Sequence, residues 1–268
     1  KNRLSVFASA ANTDRDSYYG PGNDPLKAYG KTTDLTAMGG AQYVHTFDKC
    51  FFMPSDLTAG LEYNRDRLKD NMWGYNRHTD QTVNIYSAFL QNEWKNDRWG
   101  ILIGGRLDKH NMVDNVIFSP RANLRFNPTQ NINLRLSYSS GFRAPQAFDE
   151  DMHIENVGGT VAMIERAKDL KEEKSQSFSV SADMYHRFGA FQTNLLIEGF
   201  YTRLTDVFVL GKPYDRGDGI LVKTRSNGPG AKVMGLTLEG KVAYLSILQI
   251  QAGLTLQRSR YDEPHKWH

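Results

Sequence analysis

Arg143 is the first residue to ask about chemistry, since a guanidinium held near the end of a strand can grip a carboxylate or an anionic ligand through paired hydrogen bonds. A few residues on, Asp149, Glu150, Asp151 and His153 place four oxygen or nitrogen donors in five positions, a density that suits a hard cation and equally suits solvated loop charge. Trp73, Tyr75 and His78 form another set. Their rings can stack on a flat ligand, the imidazole can reach iron, and ordinary loop packing explains the same residues. Tyr18 and Tyr19 open a Gly-Pro-Gly turn with aromatic rings available to a ligand. Arg106 and Asp108 are spaced two apart, so in a strand they share a face and make an ion pair. Cys50 is the sole cysteine, which excludes an intrachain disulfide. No catalytic Ser/His/Asp spacing and no phosphate-cradling glycine loop is recognisable, so neither an enzyme nor a bound cofactor is expected.

These residues are held by strands. In Asn131 to Ser140, N-I-N-L-R-L-S-Y-S-S, apolar Ile132, Leu134, Leu136 and Tyr138 alternate with Asn131, Asn133, Arg135 and Ser137. Alternation of this kind gives a strand one oily wall and one wet wall. It recurs near 3–11, 34–47, 56–67, 81–94, 99–109, 119–126, 131–140, 174–187, 190–205, 222–243 and 247–260, which predicts eleven strands. A short helix is expected between Val161 and Glu173.

Connections alternate in length. Tight ones fall at 95–98, 127–130, Gly189 and 245–246, and Asp48 to Ser55 is short as well. Long ones fall at 12–33, 68–80, 110–118, 141–173 and 206–221. Hairpins that are short at one end and long at the other describe an up-and-down barrel in a membrane, with the polar faces lining a lumen. Trp94, Trp99, Phe126, Phe188, Phe191 and Tyr244 cluster at the short end, as an interfacial aromatic belt would.

Composition agrees. The mean hydropathy is −0.55. No stretch approaches the roughly 18 consecutive apolar residues of a membrane-spanning helix, and the negative mean leaves strands open, because a barrel strand is apolar only at every second position. There are 33 basic and 30 acidic residues, interspersed, so no nucleic-acid partner is expected. Continuing the parity of 133, 135, 137 and 139 turns Arg143 into the lumen, where an ion pair with Asp149 or Glu150 is its plainest role.

With those patterns established, the segment S-P-R-A-N-L-R-F-N-P-T-Q-N-I-N-L-R-L-S-Y-S-S-G-F-R-A-P resembles a central barrel segment of TonB-dependent outer-membrane receptors. Gln91 to His110, with its G-x-R-x-D pattern at Gly104, Arg106 and Asp108, resembles another of their hairpins. Leu170 to Tyr185 and Ser226 to Lys241 add two further matches in the family's order. The N-P-x-L-x-P-E element of the family is reduced here to A-K-D-L-K-E-E at Ala167 to Glu173.

The resemblance implies an all-β, antiparallel, incomplete barrel, about half of some 22 strands, with the plug and the last strands outside this sequence. It implies a Gram-negative outer-membrane location with long loops extracellular, and uptake of an iron–siderophore, haem, cobalamin or glycan. The implied partners are a plug domain of the same parent chain, TonB through a segment before the plug, outer-membrane lipid and a small nutrient. An outer-membrane barrel enzyme and a soluble β-rich binding protein are the competing classes.

Overall fold

A computed structural model describes residues 1–18, 29–73, 76–147, 155–157, 160–217, 221–245 and 247–263. Seven strands follow one another: β1 (Asn2–Tyr18), β2 (Tyr29–Cys50), β3 (Met53–Met72), β4 (Arg77–Lys95), β5 (Trp99–His110), β6 (Ile117–Thr129) and β7 (Ile132–Arg143). Two short ones come next, β8 (Glu155–Val157) and β9 (Thr160–Arg166), then β10 (Glu173–Phe188) and β11 (Phe191–Thr205). Three more short strands, β12 (Phe208–Leu210), β13 (Tyr214–Asp215) and β14 (Leu221–Asn227), precede the closing pair β15 (Ala231–Tyr244) and β16 (Leu248–Tyr261).

Eleven strands form one antiparallel meander in the order β1-β2-β3-β4-β5-β6-β7-β10-β11-β15-β16. Each pairs only with its neighbours in chain order, and the arc is open between β1 and β16. No helix among the described residues is long and apolar enough to cross a membrane.

The two faces sort as the alternation predicts. Leu4, Val6, Leu61, Leu90, Leu107, Leu136, Val180, Leu238 and Leu254 all stand on the outward face and are exposed. In β5 the inward even positions Asp108 and His110 are buried while outward Ile103, Leu107 and Lys109 are exposed. In water such a face would cost about 25 cal/mol per Å² of apolar area, and soluble monomers seldom show apolar patches beyond several hundred Å². A lipid surround removes that cost, and every interior strand already satisfies its backbone groups through the ladder. The soluble-protein reading therefore has no support in the fold.

At the short-turn end the predicted aromatics stack across strands. Phe52 lies on Trp94 with centroids 5.7 Å apart, Trp99 on Phe126 at 4.2 Å, and Phe191 meets both Phe188 at 5.4 Å and Tyr244 at 4.9 Å. Tight turns there use left-handed backbone at Gly189 (φ 58°), Phe51 (φ 62°) and Leu245 (φ 48°). On the inner face Gly40 leaves room for the Phe7 ring; a Cβ at Gly40 would lie 2.6 Å from that ring and 2.8 Å from the Leu61 carbonyl oxygen.

Three expectations need correction. Residues 160–166 are a strand rather than the start of a helix, because β9 pairs in parallel with β14 (Leu221↔Ala162 through Arg225↔Arg166). The expected single strand 222–243 breaks at Gly228-Pro229-Gly230, where proline lacks the N–H a ladder needs. Its first part joins a separate five-stranded sheet of β12, β14, β9, β8 and β13, built from the two longest connections. Finally, most of 12–33 and 68–80 is strand, not loop, among the described residues. With 20 residues, β3 extends about 65 Å, far more than a bilayer core of about 30 Å requires even at a steep tilt. The hairpins thus stand well clear of the membrane.

Candidate functional site

Above the apolar band the inward positions become polar and buried. The Asp70 carboxylate, 1% exposed, accepts from the Thr32 hydroxyl at 2.7 Å and from Arg77 Nε and Nη2 at 3.0 and 2.8 Å. Three strands supply this cluster, since Thr32 faces Asp70 and the next hairpin returns through Arg77. Lower on the same inner wall, Arg106 Nη1 meets Glu62 at 2.6 Å, and its Nε meets Asp108 at 2.8 Å. The Ser87 hydroxyl donates to Asp108 at 2.6 Å. The Arg106–Asp108 pair expected from spacing is present, extended by Glu62 and Ser87.

A second network fastens the small sheet to the wall. Gln81 Oε1 accepts from the Ala147 amide at 2.8 Å and from Arg166 Nη1 at 2.9 Å. Arg166 also donates to the Pro145 carbonyl at 3.0 Å. His110 is fully buried; its Nδ1 accepts from the Met112 amide at 3.0 Å, so Nε2 carries the proton donated to Gln146 Oε1 at 3.2 Å. Asn227 ties the roots of both long connections, donating to the Lys171 and Asp206 carbonyls at 3.1 and 2.8 Å and accepting from the Lys171 amide at 2.8 Å.

Between this sheet and the start of β4 lies a cavity of about 620 Å³. Met112 and Met163 give it apolar floor, and Arg77, Arg166, Lys168 and Arg216 bring cations to its lining. Glu165 is its acidic member, 4.0 Å from Arg216. A polarisable floor under several cations suits a flat or bulky anion.

The residues anticipated for ligand contact are dispersed. Arg143 lies at the root of the small sheet, its guanidinium 5.5 Å from the Phe208 ring centre and its backbone opposite Glu173. Glu173 in turn accepts from the Phe208 amide at 2.8 Å. Trp73 stacks on Tyr29 with centroids 5.6 Å apart and planes 8° from parallel, and the Tyr29 hydroxyl donates to Asp16 at 3.0 Å. His78 bonds Asn71 at 2.9 Å. By pleat parity Tyr18 and Tyr29 face outward, away from the concave side, and Trp73 goes with Tyr29, whereas His78 is among the residues that line the cavity. Tyr19, Tyr75, Asp149, Glu150, Asp151 and His153 lie outside the described residues. Among the described residues no group of three metal-type side chains converges.

Sequence reasoning overlooked Arg77, Gln81, His110 and Arg166. For Gln81 and His110 a signal existed: both continue the inward parity of their strands past the membrane band. Arg166 and Gln146 had none, since each reaches the wall from a connection.

The geometry can be set beside known proteins. The model of the family described as "TonB dependent receptor-like, beta-barrel" matches residues 2–266. A probable hemoglobin and hemoglobin-haptoglobin-binding protein 3 of Haemophilus influenzae is 23% identical over 206 residues, covering 75% of this chain and 18% of that protein. The siderophore receptor PirA of Pseudomonas aeruginosa superposes with a TM-score of 0.71 at 14% identity, over 97% of this chain and 51% of that one. The ferric enterobactin receptor PfeA of the same organism gives 0.70 at 19% identity, over 96% and 41%. This chain thus spans about half the length of these relatives, or less. The family is one of receptors rather than of enzymes, and its barrels sit in the Gram-negative outer membrane, which accounts for the lipid-facing band and the aromatic belt. On the match across nearly its whole length, this chain belongs to the TonB-dependent receptor β-barrel family.

Proposed function

We infer that this chain is the wall and part of the extracellular crown of a larger receptor that captures an anionic iron complex, a haem or a ferric siderophore, for import. In this reading a plug domain of the same polypeptide fills the concave side, and TonB, reached through a segment preceding the plug, supplies the energy. The chain's part is binding and guidance, without covalent chemistry or a bound cofactor. The observation that carries the reading is the cavity of about 620 Å³ whose lining includes Arg77, Arg166, Lys168 and Arg216. Haem propionates and ferric catecholates are both anionic, and the named relatives bind haemoglobin or ferric siderophores. Tyr18, Trp73 and Tyr29 face away from the cavity, so they serve first encounter at the crown rather than the final seat.

The test uses cells expressing the complete receptor, with and without TonB, supplied with radiolabelled haem or a ferric catecholate. Uptake of one complex should require TonB, and Lys168→Ala with Arg216→Ala should weaken its binding on the order of tenfold, the equivalent of about 1.4 kcal/mol. Uptake indifferent to TonB, or binding of both complexes indifferent to the paired change, would overturn the reading.

A further inference from the structure

His110, at the outer end of β5, is fully buried and stands outside the cavity lining. Its two ring nitrogens nevertheless support two different parts of that lining. Nδ1 holds the amide of Met112, whose side chain belongs to the cavity floor. Nε2–H holds Gln146, in the stretch Ala144 to Ala147 that follows β7. Pro145 and Ala147, on either side of Gln146, line the cavity themselves. One imidazole therefore sets floor and flank together.

Only a neutral ring can do this. An imidazole protonated at Nε2 accepts at Nδ1, whereas an imidazolium carries a proton on both nitrogens and accepts at neither. Charging the ring sets the Nδ1 proton against the Met112 N–H, so ring and amide must part. The Gln146 bond, made through Nε2–H, goes as the ring turns. Across the ladder the ring's partner is Ile85 of β4, an apolar side chain that offers the new proton no acceptor. The charged group acting on the ring is Asp108, two residues along the same face, whose Oδ1 already accepts from Arg106 and Ser87. Burial holds the imidazole below its ordinary pKa, opposed by the bond to Gln146 and the charge of Asp108. The neutral form prevails at neutral pH, and the charged form needs acid.

Other ties stay in place. Met112, Val113 and Ala144 to Ala147 carry no titratable side chain. The Ala147 amide donates to Gln81, and Arg166 of the small sheet donates to the Pro145 carbonyl. Neither partner titrates near neutrality, so charging His110 loosens the lining locally and leaves the crown folded.

We propose that His110 is an acid-sensitive latch on the cavity: neutral, it holds Met112 and Gln146 in position, and protonated, it frees both and releases a bound anionic complex. The release rests on the cavity being the ligand's seat, whereas the latch is a property of the fold and can be followed without ligand. It is fully set above the ordinary imidazole pKa of about 6.5 and is lost as the pH falls below that value. A cation gained beside the cavity would by itself attract an anion, so the direction of the change separates a latch from added charge.

The complete receptor, free of ligand, is followed by hydrogen exchange at about pH 7.5 and about pH 5, each rate being divided by the intrinsic rate at that pH. The Met112, Val113 and Gln146 amides should lose protection on the order of tenfold in acid, and Ala122 to Leu124 in β6 should keep theirs. His110→Asn retains an acceptor near the Nδ1 position and does not titrate, so its protection should be equal at both pH values. Haem and a ferric catecholate are titrated in parallel; the one bound should bind on the order of tenfold more weakly in acid to the wild type than to His110→Asn. Protection that survives acid in the wild type, an equal acid loss in His110→Asn, or binding that tightens in acid would overturn the latch. Failure of both complexes to bind at about pH 7.5 would count against the nutrient reading alone, with the exchange still deciding the latch. Because near and far amides are compared within the unaltered protein, the result stands even if the variant misfolds.

Discussion

Between the tight turns and Tyr63, β3 meets lipid with Leu57, Ala59, Leu61 and a ring, and its inner positions hold small or hydrogen-bonded polar groups. Beyond Asp66 the same strand buries Asp70 against Thr32 and Arg77 and leaves Arg67 and Lys69 in water. One continuous ribbon is thus stabilised by two different means. In the lower part the backbone ladder and lipid act along the whole length, so each side chain contributes a little. In the upper part a few buried polar contacts fix hairpins and the small sheet, so each is expensive to lose. The crown should therefore fail locally at single positions that the lower wall would tolerate, and that difference can be attacked directly.

The largest expected effect is Asp70→Ala, which leaves a buried Arg77 without its carboxylate and should destabilise the β3–β4 hairpin tip by about 3–5 kcal/mol. Hydrogen exchange of residues 66–80 should accelerate strongly while exchange at Leu57 to Tyr63 stays slow. Adding Arg77→Met should recover part of the loss. Next comes the lipid face: Leu90→Arg, in the middle of the outward band, should cost about 2–4 kcal/mol in vesicle refolding titrations. Gln91→Arg, one residue away on the inner face, should cost close to nothing. Equal costs at 90 and 91 would break the two-faced account of the wall. Gln81→Leu is the mildest: it removes the acceptor shared by Ala147 and Arg166 and should cost about 1–3 kcal/mol, seen as faster exchange of the Ala147 and Met163–Arg166 amides.

The contrast also explains what could be read in advance. The strand expected at 131–140 is Ile132–Arg143, and the belt rings stack as placed, because period-two alternation and turn residues are local signals. The tops of β2 and β3, residues 29–33 and 68–72, read as loop in the sequence because Gly30 to Thr33 and Lys69 to Asn71 offer no apolar alternation; their strand state is fixed by contacts across the ladder. The small sheet was illegible for a related reason. β9 and β14 are far apart in sequence and meet in parallel, a pairing that no turn announces. Of the anticipated residues, strand parity correctly predicts the Arg106–Asp108 pair, whereas Trp73 stacks on the outward Tyr29 and His78, near the start of β4, joins the cavity lining, placements that depend on strands extending past the membrane band.

The central claim is that one face of this sheet meets lipid and the other an aqueous lumen. It is tested most directly by spin labels placed singly at Leu134, Asn133, Leu136, Ser137, Leu90 and Gln91 in the complete receptor, in a Cys50→Ser background and in outer-membrane vesicles. Collision with apolar oxygen should be high at Leu134, Leu136 and Leu90, and collision with a water-soluble nickel chelate should be higher at Asn133, Ser137 and Gln91. Accessibility without that two-residue alternation, or with the faces reversed, would contradict it.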